Sequence, residues 1–155
     1  TASVFAKQCG PWFEREPITE LRLIKPSTRD LATLRKAPHA ARLRSLVVLD
    51  AVTISTTADA EALATLLAAL PELRVLDLPL DAAEPAATRD LLAKLALPVL
   101  AQLKLRIRSA DMASIANALT GARLPAVRQL GVPQHVVRVV AAAFPDATVT
   151  AIGEP

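Results

Sequence analysis

The sequence predicts an α/β fold: a short curved solenoid of about five to six strand-turn-helix repeats, with a parallel sheet on its concave face. An apolar-x-x-apolar-x-apolar frame, clearest at Leu73, Leu76 and Leu78, recurs with its first positions 25, 30, 27 and 27 residues apart. Strands that alternate with helices at this interval pair in parallel through right-handed crossovers. A proline also stands two residues before the frame in four of the six units, at Pro71, Pro98, Pro125 and Pro145.

Four further copies of the frame fit well, at Ile18, Leu21, Leu23; at Leu43, Leu46, Val48; at Leu100, Leu103, Leu105; and at Val127, Leu130, Val132. A sixth, weaker copy follows when residues 144–147 are aligned with residues 70–73, which places Ala147, Thr150 and Ile152 in the frame. Frame side chains are expected to face the core, because alternate residues of a strand point to opposite sides of a sheet.

The first 17 residues precede the frame and contain three of the four aromatic residues, Phe5, Trp12 and Phe13. The first unit of a solenoid exposes an apolar end, and large aromatic side chains are suited to cover it. We therefore assign residues 1–17 to an N-terminal capping segment and residues 18–155 to a single solenoid domain.

Strands are predicted over residues 18–24, 43–49, 73–78, 100–107, 127–132 and 149–152. The helices between them begin at recognisable signals. Ser27 with Asp30 and Thr56 with Asp59 resemble capping boxes, Pro85 suits a first helical turn, and Ser109 is placed to cap the fourth helix. Apolar residues at helical spacing mark the buried helix faces: Leu31, Leu34; Leu63, Leu66, Leu67, Leu70; Leu91, Leu92, Leu95; Met112, Ile115, Leu119; Val136, Val140, Phe144.

Composition excludes several classes of protein. The longest run without a charged residue, 112–122, has 11 residues, fewer than the ~18 that span a bilayer, so no membrane segment is predicted. Cys9 is the only cysteine, which rules out an intrachain disulfide and favours a reducing cytoplasm.

The formal net charge is only +3, divided as +5 over residues 1–45, −5 over 46–100 and +3 over 101–155. Basic ends with an acidic middle favour steering or head-to-tail self-association.

No set of residues predicts catalysis. His39 and His135 are the only histidines, and the four glycines are not clustered as in a phosphate-binding loop. Asp77 and Asp81 are better explained as a solvated strand residue and a loop residue than as a carboxylate pair. Nucleic acid is not predicted as a partner, because no aromatic residues interleave with the basic row at Lys104. We expect no catalytic, cofactor-binding or metal-binding residues.

Residues 18–152 resemble the leucine-rich repeat family, and repeats of 25–30 residues are most similar to its long, helix-bearing type. The stretch 12–46, with Pro38-His39-Ala40-Ala41-Arg42-Leu43, is also similar to openings of bacterial leucine-rich repeat proteins that carry a repeat-companion segment. The resemblance implies stacked frame leucines, strands lining a concave face, and binding of other proteins. The family places Asn or Cys eight residues after the first frame position, where this chain has Pro26, Ala51, Asp81, Arg108 and His135. Loop backbone groups there are expected to find other partners.

The candidate binding surface consists of strand residues that alternate with the frame. Its residues are Arg22, Ile24, Val47, Leu49, Val75, Asp77, Lys104 and Arg106, an apolar centre flanked by charges, as in a protein interface. The sequence thus predicts a non-enzymatic module that binds another protein through the concave sheet. Three alternatives remain open: a substrate-recognition or accessory domain of a larger enzyme or effector, a self-associating chain, and a small enzyme in which Asp77, Lys104 or His135 converge. The apolar strand residues can also be explained as surface stabilisation alone.

Overall fold

The computed structural model describes residues 18–37, 39–109 and 111–153, so the predicted capping segment 1–17 lies outside the described residues. The strands are β1 (Glu20–Leu23), β2 (Ser45–Val48), β3 (Val52–Thr53), β4 (Val75–Asp81), β5 (Gln102–Arg108), β6 (Gln129–Pro133) and β7 (Thr148–Ile152). The α-helices are α1 (Thr28–Arg35), α2 (Thr57–Ala68), α3 (Pro85–Ala93), α4 (Met112–Leu119) and α5 (Val137–Ala143). Short 3₁₀ helices span Ala40–Arg42 and Gln134–Val136.

The seven strands form one open, parallel sheet in the order β1-β2-β4-β5-β6-β7, with β3 paired beside β4. Successive connections all advance in the same direction across the sheet. Because such crossovers are right-handed, the helices lie together on one face. Inward strand residues and helix residues form a single hydrophobic cluster there. The predicted α/β class and parallel sheet are therefore confirmed. No helix within the described ranges combines the length and apolar character needed to cross a membrane.

The frame leucines align across the sheet as predicted. Leu21 pairs in register with Leu46, Leu46 with Leu76, Leu76 with Leu103, and Leu103 with Leu130. Leu21, at the sheet edge, is 8% exposed, and the other four are at most 1% exposed. This row of leucines is the inner layer of the core.

Two helices begin with the predicted capping boxes. Ser27 Oγ accepts from the Asp30 amide at 3.2 Å while Asp30 accepts from the Ser27 amide at 3.0 Å, and Thr56 and Asp59 repeat this arrangement at α2. At α4 the predicted cap is wrong. Asp111 Oδ1 accepts from the Ser114 amide at 3.3 Å, while the hydroxyl of Ser109 accepts from the Asp111 amide at 3.1 Å. Ser109 and Asp111 can both accept a hydrogen bond near the start of this helix, and the helix begins directly after Asp111.

The strand of the sixth repeat is offset by one residue from its prediction, whereas Ala147 packs against the core as predicted. Val149 pairs with Leu130, and Thr150 pairs with Gly131 on the opposite face. A shift of one residue reverses the face of every side chain in a strand. Val149 packs against the core, whereas Thr150 and Ile152 do not belong to the inner row. Burying a valine in place of a threonine hydroxyl favours the observed register.

The sheet itself provides partners for the loop backbone after the strands. Residues 49–51 separate β2 from β3. The strand β3 then pairs with β4, with Val52 opposite Leu80. The Ile54 amide then donates to Asp81 O at 2.9 Å, and the Ala82 amide donates to Arg108 O at 2.9 Å. The added strand β3 was not predicted.

Candidate functional site

The strand residues that alternate with the core row form one surface, which we call the open face. Hydrogen-bonded register defines two full rows across it: Glu20, Ser45, Val75, Gln102, Gln129, Thr148; and Arg22, Val47, Asp77, Lys104, Gly131, Thr150. A third row lies toward the carboxyl ends of the strands and includes Ile24, Leu49, Pro79, Arg106, Pro133 and Ile152. All eight predicted binding residues lie on the open face.

An exposed apolar pair lies at the β1–β2 end of the open face. Ile24 is 72% exposed and Leu49 is 49% exposed. The Leu49 amide donates to Leu23 O at 2.9 Å, so backbone hydrogen bonding between the two chain segments continues beyond the ends of β1 and β2. Val47 and Val75, in the adjoining rows, are half-buried. Aliphatic side chains thus extend from the edge of the sheet to its centre.

Arg106 and Asp77 form an ion pair beside this apolar surface. Arg106 Nη2 lies 2.9 Å from Asp77 Oδ1, and their side chains are only 26% and 21% exposed. The same nitrogen donates to the carbonyl oxygen of Val48 at 3.3 Å. One guanidinium on β5 therefore connects β4 and β2, which restrains this part of the open face.

A proline explains why the Val48 carbonyl accepts from a side chain. The β2–β4 ladder begins with the Val75 amide donating to Arg44 O at 2.9 Å. A parallel ladder advances by two residues, so the donor facing Val48 O would be the amide of residue 79. Pro79 has no N–H. Arg106 supplies the missing donor at a position where a central strand would otherwise leave an unpaired carbonyl.

The three basic residues of the predicted site differ in their partners. Arg22 Nε lies 2.8 Å from Glu20 Oε1, in an exposed pair that contributes little stability. Arg106 is paired with Asp77. Lys104 is exposed, and no ion pair joins it to an acidic side chain of the described chain. Lys104 is therefore the one predicted basic residue here whose charge is not already used by a neighbouring carboxylate.

A groove of about 250 Å³ lies beside Lys104 and was not predicted as part of the site. It exists because Gly131 has no side chain: a Cβ there would lie 3.0 Å from Ile152 Cγ2 and 3.3 Å from Lys104 Cγ. The lining residues are Gln102, Leu103, Lys104, Gln129, Leu130, Gly131, Thr148 and Thr150. Thr150 was missed because of the one-residue offset in the sixth repeat, and Thr148 because the predicted strand began at residue 149. The alternation of Thr148 and Thr150 with Val149 was the signal that could have placed them.

Asp77 and Lys104 are neighbours in register on β4 and β5, but the three residues considered for catalysis do not share one groove. Lys104 lines the groove, but Asp77 and His135 are not among its lining residues. Asp77 is engaged by Arg106, and His135 lies exposed in the 3₁₀ helix before α5. Over the described ranges no three His, Cys, Asp or Glu side chains are grouped closely enough to hold a metal ion.

No protein-family model matches the chain, and no curated protein matches its sequence. The geometry of the open face is therefore the basis for assigning it a function.

Proposed function

We propose that the chain is a short leucine-rich-repeat solenoid that binds a partner protein through the open face of its sheet and catalyses no reaction. The repeat architecture is supported by the sequential order of the strands and by the aligned leucine row. In such a solenoid the open face is concave. The single cysteine is the basis for placing the protein in a reducing cytoplasm.

The exposed pair Ile24 and Leu49 is the observation that carries the proposal. Among the large hydrophobic side chains of the described ranges, four are clearly exposed. Two of these four, Ile24 and Leu49, directly follow the paired ends of β1 and β2 at this end of the open face. Adjacent exposed aliphatic groups that continue into half-buried valines favour association, because burial removes their apolar area from water. The strand ladder also holds the backbone in place, which lowers the entropy lost on binding.

The charges around the apolar pair indicate the character of the partner. Asp77 and Arg106 neutralise each other, so a partner can cover them without leaving one charge unpaired. Lys104 forms no ion pair with a carboxylate among the described residues. The best match is a protein surface with apolar side chains for Ile24 and Leu49 and a carboxylate for Lys104.

Affinity capture with matched variants tests this function. The tagged chain would be incubated with extracts of cells that express it, and bound proteins would be quantified by mass spectrometry. The double variant Ile24→Glu, Leu49→Glu is expected to lower recovery of the partner by about tenfold or more, since acidic groups oppose burial of this patch. Val99→Glu is the control, because Val99 is similarly exposed at 42% but lies in the loop before β5.

Circular dichroism and thermal melting would establish that all variants fold. A partner retained equally by the double variant and the control would show that binding uses another surface. A loss of binding shared by both variants would contradict the assignment of the site to the open face.

A further inference from the structure

The strand β7 forms one edge of the sheet, and no described strand pairs with its outer side. The Thr148 amide donates to Arg128 O at 2.8 Å, and the register places Thr148, Thr150 and Ile152 where a parallel ladder bonds to β6. The intervening residues, Val149 and Ala151, therefore point their N–H and C=O groups away from the sheet. This edge offers two donors and two acceptors to another strand.

Side chains of β7 do not protect this edge. Its sequence, TVTAI, contains no charged residue and no proline, and four of its five residues are β-branched. Natural edge strands are commonly protected by charges, prolines or bulges. The strand at the other edge, β1, carries Glu20 and Arg22. The two edges thus differ, and β7 is the one suited to accept a strand.

We propose that two copies of the chain associate through β7, which pairs antiparallel with β7 of the second copy about a twofold axis at Thr150. In this register Val149 faces Ala151 of the second copy in hydrogen-bonded pairs, so all four outward donors are used. The two Thr150 side chains meet as a non-hydrogen-bonded pair, a cross-strand combination that stabilises antiparallel sheets. No like charges face each other along the strand.

The charges that flank β7 complement each other in this arrangement. Arg138 lies in the first turn of α5, toward the carboxyl ends of the strands, and Asp146 lies two residues before β7, at its amino end. Both residues are exposed. Antiparallel pairing brings the amino end of one β7 beside the carboxyl end of the other, so each Asp146 lies toward Arg138 of the second copy. A second copy therefore fits the hydrogen-bonding pattern of this edge.

A closed twofold pair is also consistent with the proposed binding function. The axis lies at the end of the sheet opposite Ile24 and Leu49, so both open faces stay accessible. A head-to-tail contact between β7 and β1 would instead generate an open series of larger assemblies.

Sedimentation equilibrium of the full chain across a wide concentration range tests the proposal. The expected result is a reversible species of twice the 16.4 kDa chain mass. Ala151→Pro removes an outward N–H from each copy and leaves the bonds to β6 in place, so dimerisation is expected to weaken roughly tenfold or more. Thr150→Lys places two like charges on the axis and is expected to have at least a similar effect.

Gln129→Lys is the matched control, because it adds the same charge to the same face but on β6, and it is expected to dimerise like the unmodified chain. Thermal melts would verify that each variant folds. If Ala151→Pro does not fold, the comparison is made with Thr150→Lys alone. A chain that stays monomeric at every concentration would overturn the proposal. So would a dimer unaffected by both edge variants, or a series of larger masses.

Discussion

Arg106 Nη2 lies 3.3 Å from the carbonyl oxygen of Val48, two strands away in the sheet. The same atom lies 2.9 Å from Asp77 Oδ1 on the strand between them. The sheet would otherwise have an unpaired acceptor beside Pro79, so this arginine has a structural role on the surface proposed to bind a partner. The stability of the fold and the shape of the open face are therefore linked at Arg106.

Arg106→Ala is expected to lower the free energy of unfolding by about 1–3 kcal/mol, because it leaves the partly buried Asp77 carboxylate and the Val48 carbonyl without this donor. Urea denaturation would measure the change. Lys104→Ala, on the same strand and face but without an ion pair among the described residues, is expected to stay within about 0.5 kcal/mol of the unmodified protein. Equal losses in the two variants would contradict the assigned role of Arg106.

Pro79→Val is expected to reduce the cost of removing Arg106, because valine restores a backbone N–H opposite the Val48 carbonyl. In a double-mutant cycle of Pro79→Val and Arg106→Ala, the double variant should be more stable than the sum of the single effects by about 0.5–1.5 kcal/mol. The cycle cancels the change in chain entropy that follows from replacing a proline. Strict additivity would show that Arg106 does not replace the missing ladder donor.

Leu76→Ala is expected to destabilise the protein by about 2–5 kcal/mol, because it removes a side chain from the centre of the leucine row and leaves a cavity. Leu76 is 0% exposed. Ile24→Ala is the control on the open face, where Ile24 is 72% exposed, and its effect should be within about 0.5 kcal/mol. Thermal or chemical denaturation distinguishes the two, and a larger loss at Ile24 would mean that the two faces are assigned in reverse.

Gly131→Val is expected to cost about 1–3 kcal/mol, since overfilled sites force neighbouring side chains to move. A Cβ at this position would lie only 3.0 Å from Ile152 Cγ2. The substitution would also fill the groove beside Lys104. Gly153→Val is the matched control, because no described atom lies within 4 Å of a Cβ built there. Chemical denaturation of both variants checks the prediction, and an unchanged unfolding midpoint for Gly131→Val would disprove the close packing of Ile152.

The leucine row was predictable because it depends on local alternation. Leu46, Leu76 and Leu103 each stand at the same place in an apolar frame, and a strand sends alternate residues to opposite sides. At β7 the same reasoning failed by one residue. The alignment on Pro145 placed Thr150 in the frame, whereas pairing with β6 places Val149 there. With a weak frame, the neighbouring strand and the burial of the larger apolar side chain decide the register.

The sequence by itself determined the class of fold, the parallel order of its strands and the leucine row of the core, because those properties follow from hydrophobic spacing within each repeat. Only the tertiary structure decided which open-face groups are already bonded to one another. Arg106 and Val48 are 58 residues apart, and the groove at Gly131 is formed by three different strands. Such contacts depend on where each loop returns the chain to the sheet, and on a single missing N–H or Cβ, neither of which leaves a periodic signal in the sequence.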